Sequence, residues 1–314
     1  MVLIPITQIK FTMKLYKIFF LFALALITSC SSDDDSTPVN ELDGIIKVKE
    51  FTNDTHIIEL YTSTGTTQQG YNEISLRIKD KTTNNYIQNA TIEWMPMMHM
   101  TMMNHSCPYS TVEKETDKET LYKGYIVFQM PQNESEYWDL KIDYSINETN
   151  YTVTDVVDVP ATEKRVVSSF MGTDNVRYIV ALIDPKNPKV ALNDMTVGVY
   201  KMENMMNFPV VNNYTLKIDP RMPSMGNHGS PNNLDLTQSA SDEFYHGKVS
   251  LTMTGYWKIN LQVLNSISSL SDTIRFFFSA SSIKLMGLSS PRSGCCHRAS
   301  ASNPINLPFR STLG

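Results

Sequence analysis

The window Trp94–Pro108, WMPMMHMTMMNHSCP, holds six methionines (Met95, Met97, Met98, Met100, Met102, Met103), two histidines (His99, His105) and Cys107. Thioether, imidazole and thiol are the donors that favour Cu(I) over Mg, Ca or Mn. A thioether binds without losing a proton, whereas a thiolate in an oxidising compartment is at risk of oxidation. The window is therefore expected to be a Met/His-rich loop that binds Cu(I), with all nine residues as candidate ligands. An extended backbone would put Met98, Met100 and Met102 on one side and Met97, His99 and Met103 on the other, so no more than half of the sulfurs face one ion. Methionine also fills core gaps and adaptable contact surfaces. Pro96, Asn104, Pro108 and the two histidines argue against a continuous core strand here.

A sparser copy lies downstream. Met102-Met103-Asn104-His105-Ser106-Cys107-Pro108 and Met225-Gly226-Asn227-His228-Gly229-Ser230-Pro231 share M-x-N-H-x-x-P at one offset (228 − 105 = 123). Met222, Met225 and His228 are the candidate ligands of this second copy. Ser230 stands where the first copy has Cys107, so the pattern does not depend on the thiol. Met202, Met205 and Met206 form a smaller cluster that either adds donors or covers an apolar edge. His56 and His246 are read as side chains outside any site.

The elements that must position these loops are strands. Short alternating or β-branched runs are expected at 56–61, 74–79, 90–94, 121–130, 138–144 and 151–159, and again at 166–170, 176–184, 196–200, 214–219, 245–253, 257–263 and 273–278. Tyr122-Lys123-Gly124 recurs as Tyr245-His246-Gly247, and Tyr137-Trp138 recurs as Tyr256-Trp257, so the chain repeats itself. The fold class is all-β, two tandem immunoglobulin-like β-sandwich domains after a lipoprotein signal peptide. Residues 45–160 form the first repeat and 165–280 the second, with Trp138 and Trp257 as core anchors.

Lys14, Lys17 and the apolar run Ile18–Ile27 lead into Ile27-Thr28-Ser29-Cys30, which resembles a bacterial lipobox. The resemblance implies that residues 1–29 are cleaved, that Met13 is an alternative start, and that Cys30 is acylated and holds the protein to a lipid membrane. The apolar run falls short of the roughly 20 residues of a membrane span. Residues 30–44 read as a flexible acidic leash. The run Ser31-Ser32-Asp33-Asp34-Asp35 resembles a surface-export signal, giving an outer-membrane lipoprotein that faces the periplasm or the cell surface.

Residues 281–314 carry Lys284, Arg292, Arg298 and Arg310 but no acid. They read as a disordered tail, and a change of reading frame would leave the same abrupt shift. Cys295-Cys296-His297 supplies too few ligands for a closed zinc site. A net charge of −5 gives no basic footprint for nucleic acid. No nucleophile–base pairing, Gly-rich phosphate loop or paired-carboxylate pattern stands out, so a non-enzymatic role is expected.

With Met95-Pro96-Met97-Met98-His99-Met100 and Met222-Pro223-Ser224-Met225 on tandem β-repeats, the chain resembles the YtkA-like or FixH-type family, and more distantly the CopC-like copper carriers. The likeness covers about residues 70–160 and 175–280. It implies copper storage, buffering or delivery, with a copper receptor, efflux pump or oxidase-assembly factor as partner. The N-terminal histidine with which CopC-like carriers hold Cu(II) is absent, because the expected mature N-terminus is Cys30. The competing expectation is a surface interaction module that binds a protein or glycan, with the methionines as an apolar contact patch.

Overall fold

The computed structural model describes residues 40–281 apart from 240, 266–268 and 272. Cys30, Cys295, Cys296 and His297 lie outside the described residues. The first repeat comprises β1 (Ile46–Thr52), β2 (His56–Thr62), β3 (Gly70–Asp80), β4 (Thr91–His99), β5 (Asn104–His105), β6 (Glu113–Lys114), β7 (Tyr122–Phe128), β8 (Tyr137–Ile146) and β9 (Thr149–Val157). They form two antiparallel sheets, β1-β2-β3-β7-β6 and β5-β4-β8-β9.

Between the sheets lies one apolar core, for the reason visible in β8. Trp138, Leu140, Ile142 and Tyr144 alternate inward while Asp139, Lys141 and Asp143 point outward. Ile58, Leu60, Ile74, Leu76, Ile126 and Phe128 meet them from the other sheet. This is the aligned sandwich of an immunoglobulin-like domain, without its disulfide.

The second repeat comprises β10 (Val167–Met171), β11 (Arg177–Asp184), β12 (Leu192–Met202), β13 (Thr215–Met222), a 3-10 turn (Pro223–Met225), β14 (His228–Gly229), β15 (Leu234–Gln238), β16 (Tyr245–Ser250), β17 (Gly255–Leu264) and β18 (Ile274–Ala280). Its strands join in one nine-stranded sheet, β10-β11-β12-β16-β15-β13-β17-β18, with β14 on β13. β15 pairs with both β16 and β13, so it turns the corner between the two faces of this sandwich. Val180, Val197, Leu216, Leu236, Trp257 and Ile259 fill the space between.

The repeat is built from the same local devices in both copies. The indole N–H of Trp138 donates to the Met130 carbonyl at 2.9 Å, and that of Trp257 donates to the Met253 carbonyl at 3.0 Å. Tyr122 Oη accepts from the Ala90 amide at 2.9 Å and donates to the Gln88 carbonyl at 2.8 Å. Tyr245 Oη does the same with the Tyr214 amide at 3.2 Å and the Val211 carbonyl at 2.7 Å. Each tyrosine thus pins the chain entering the strand that carries the site, satisfying backbone groups just ahead of that strand.

The structure departs from the expected strands in identifiable ways. Residues 95–99 are strand β4, where a loop was expected to begin at Met95. Pro96 is tolerated because β4 lies at the sheet edge there: β5 pairs only with Met98 and His99. The Pro96 carbonyl accepts from Ser106 Oγ at 2.7 Å on that open side, so the missing N–H leaves no ladder partner stranded. β1 escaped notice because Lys47, Lys49 and Glu50 break its pattern, and its pairing with β2 shifts between Lys47 and Lys49. β15 and the two-residue strands β5, β6 and β14 are too short or too polar to read as strands.

Between the sandwiches, Tyr125 and Val127 of β7 pack against Val167, Ile179, Ala181, Tyr200 and Phe208 of the second repeat. The two repeats therefore share a buried apolar contact.

Candidate metal site

Strand β4 sorts the candidate ligands by face. Ile92, Trp94, Pro96 and Met98 are buried, while Met95, Met97 and His99 alternate with them as a half-exposed outward row. Alternate residues of one strand lie about 6.6 Å apart. That spacing lets long, unbranched thioethers converge on one point.

Across the ladder, β8 supplies the partners of that row. Met95 faces Lys141, Met97 faces Asp139 and His99 faces Tyr137. His99 Nε2 lies 2.7 Å from Asp139 Oδ2. A carboxylate can only accept, so Nε2 carries the hydrogen and the neutral ring keeps its lone pair at Nδ1. Tyr137 stacks on the ring at 4.8 Å with planes 17° apart. Carboxylate on one nitrogen and aromatic face on the ring is the support that orients metal-binding imidazoles.

Beyond His99 the chain turns back, and the Met100 amide donates to the Met103 carbonyl at 3.1 Å. Met102 is 89% exposed and Met103 49% exposed at this tip, whereas Met100 packs on the core. Of the expected grouping of Met98, Met100 and Met102, only Met98 lies in β4; Met100 packs on the same core just past the strand end, and Met102 is exposed at the turn. On the returning strand, His105 lies opposite Met98 and edge-on to Trp138 at 5.7 Å. Its Nδ1 donates to the Ser106 carbonyl at 2.7 Å, which leaves the lone pair of the neutral ring on Nε2.

Three candidates are core residues. Met98 and Cys107 have no exposure, and Met222 has 4%. Burial pushes the Cys107 thiol well up, so it stays protonated and is a small hydrophobe there. Met98 cannot share an ion with the outward row, because it points to the opposite face of β4; Cys107 lies in the same core as Met98, and Met222 lies in the core of the second repeat. His56 is also structural: it is 4% exposed and its Nδ1 meets Tyr144 Oη at 3.0 Å. His246 is exposed beside Asp242, at 2.9 Å.

The second copy aligns differently from the expected Met222-Pro223-Ser224-Met225. Pro96 pairs with Leu140, two residues after Trp138, and Pro220 pairs with Ile259, two residues after Trp257. The counterpart of Met95-Pro96-Met97-Met98 is therefore Asp219-Pro220-Arg221-Met222. His228 faces the buried Met222 as His105 faces Met98. The hairpin is one residue shorter, which is why the offset of 123 misplaces the strand. Where the first copy presents thioethers, Arg221 Nε and Asp219 Oδ1 pair at 2.7 Å. Met225 is 55% exposed in the 3-10 turn and His228 is exposed on β14, with Met222 beneath them in the core. Of the three, the structure pairs Met222 with His228, while Met225 sits apart from that pair in the 3-10 turn between them.

Among the described residues no three His, Cys, Asp or Glu side chains gather at metal-binding spacing. The donor set that remains is thioethers with single imidazoles, which suits a soft monovalent ion and gives little to Zn or Ca.

The sequence reading missed the approach of Met205. Its carbonyl accepts from the Ser106 amide at 2.8 Å, next to His105. Only the grouping of Met202, Met205 and Met206 hinted at it.

No family model matches the chain, and no curated protein matches it. Two solved structures of titin fragments align with 69% of this chain. One is matched over 92% of its length at 6% identity and a TM-score of 0.17. The other, an immunoglobulin-domain tandem, is matched over 90% at 8% identity and a TM-score of 0.18. Likeness at that level adds nothing to the sandwich architecture already evident from the strand pairing.

Proposed function

We propose that this chain is a non-enzymatic, membrane-tethered protein that binds Cu(I), or Ag(I) as its chemical mimic, through Met95, Met97 and His99 on β4. The observation that carries the reading is the His99–Asp139 pair at 2.7 Å, which leaves Nδ1 as the open nitrogen of a ring at the end of the row that Met95 and Met97 begin. Two sulfurs and one imidazole make up the small soft donor set that Cu(I) accepts. Met102 and Met103, exposed at the tip, would take the ion first and hand it to the row. The role is storage, buffering or delivery to a receptor, an efflux system or an oxidase-assembly factor, with acylated Cys30 as the tether.

A second reading is favoured by the 89% exposure of Met102: the tip would be an apolar contact of an interaction module. Titration of purified residues 31–281 with Cu(I) against a chromogenic chelator separates the two. The copper reading expects tight uptake that Met95→Leu, Met97→Leu and His99→Ala together abolish. Uptake equally weak in both proteins would leave the interaction module.

A further inference from the structure

We propose a second soft-metal site at the junction of the two sandwiches, made from Met103 and His105 of the first and Met205 and Met206 of the second. It rests on the same soft-donor reading as the β4 row but uses different residues. The anchoring fact is the Ser106 N–H bond to the Met205 carbonyl at 2.8 Å, which holds the loop after β12 against the residue that follows His105.

That loop is closed by its own bonds. The Glu203 amide donates to the Asn207 carbonyl at 3.0 Å, the Met206 amide to Asn204 Oδ1 at 2.8 Å, and Asn207 Nδ2 to Glu203 Oε2 at 2.8 Å. The polar groups are thus engaged within the turn, and the thioethers of Met205 and Met206 are left 43% and 38% exposed. Behind the loop, Met202 and Phe208 pack into the apolar contact between the repeats, so the approach is backed by burial as well as by one hydrogen bond.

On the first repeat, the bond from His105 Nδ1 to the Ser106 carbonyl leaves Nε2 as the ring nitrogen with an open lone pair. Trp138 fixes the plane of that ring edge-on, and Met103 lies two residues before it, 49% exposed. One imidazole and up to three thioethers from opposite repeats satisfy Cu(I) or Ag(I). An ion held there cross-links segments about a hundred residues apart in sequence. Metal occupancy then stiffens the junction and couples it to the β4 row.

The test is NMR of the protein with 13C-labelled methionine ε-methyls, titrated with Ag(I). The expected result is two bound equivalents, with the methyls of Met103, Met205 and Met206 shifting together and those of Met95 and Met97 shifting as a second group. Met205→Leu with Met206→Leu, exposed and matched in volume, removes one equivalent and leaves the Met95 and Met97 shifts intact. His105→Ala weakens binding at the Met205 group at least tenfold. Unmoved Met205 and Met206 methyls at saturation, with Met95 and Met97 shifted, overturn the junction site alone. Met205 and Met206 shifts that survive His105→Ala unchanged overturn its cross-repeat construction. No methyl shift anywhere removes both this site and the β4 row.

Discussion

Met98 and His105 face each other across the β4–β5 ladder, the thioether wholly buried and the imidazole half exposed. The core ends between them, and that boundary separates packing methionines from accessible ones. Met98→Ala is expected to cost about 2–4 kcal/mol by denaturant unfolding, since it leaves a cavity in a packed core. Met97→Leu, half exposed and matched in volume, should stay within about 0.5 kcal/mol while weakening Cu(I) uptake. Equal destabilisation by the two variants would contradict the assignment of faces.

In the proposed site Asp139 would act on the metal only through His99, its hydrogen-bond partner. Asp139→Ala frees the ring to rotate and is expected to lower Cu(I) affinity about 10–100-fold, the usual loss when a ligand's supporting hydrogen bond goes. Asp139→Asn keeps an acceptor oxygen and should retain most of the affinity. Competition titrations on variants with matched circular dichroism would show the difference, and an Asn variant as weak as Ala would argue that the charge is what matters.

Gly124 and Gly247 occupy the same place in the two repeats because a neighbouring segment crosses their backbone. A Cβ on Gly124 would lie 2.6 Å from Trp94 Cζ2 and 2.9 Å from the Thr111 carbonyl oxygen. One on Gly247 would lie 2.5 Å from the Leu234 carbonyl oxygen. Each Gly→Ala change should destabilise by about 1–3 kcal/mol, the range for overpacking. Thermal melts that match the parent protein would show that these crossings are loose.

Much of this was legible beforehand. The paired tyrosine, glycine and tryptophan motifs mark real shared devices, and the alternation in β8 and β17 identifies the inward faces. The reach of β4 was not, because a proline reads as a strand breaker unless the strand is known to lie at an edge. The alignment of the copies failed at the hairpin, where a one-residue difference hides Asp219-Pro220-Arg221-Met222 behind a better-looking methionine match. The Ser106–Met205 contact joins segments with no local pattern in common.

Glu59 gives the fold an acid-sensitive point. Burial raises its carboxyl, but bonds from Lys47 Nζ at 2.6 Å and Tyr61 Oη at 2.7 Å, with the Lys47 charge and Tyr86, outweigh that and hold it below its ordinary value of 4.5. A carboxyl depressed by folding stabilises the protein above its unfolded pKa, and that contribution is lost as pH falls through the folded one. Unfolding free energy should therefore drop below about pH 4.5, and Glu59→Gln should flatten that part of the profile while costing about 1–3 kcal/mol at pH 7. An unchanged acid limb in the Gln variant would assign the sensitivity to other carboxyls.

Pro96 has a consequence for how copies of this protein coexist. The β4 edge from Thr91 to Met97 is the kind of uncovered border onto which a second chain adds a strand, and its apolar row would reward that mistake. A residue with no N–H to offer in the middle of the border denies the incoming strand a continuous ladder, and the Ser106 hydroxyl already occupies the adjacent carbonyl. Even at high concentration, many such molecules can keep the Met95–Met97 row half-exposed without zipping into fibres.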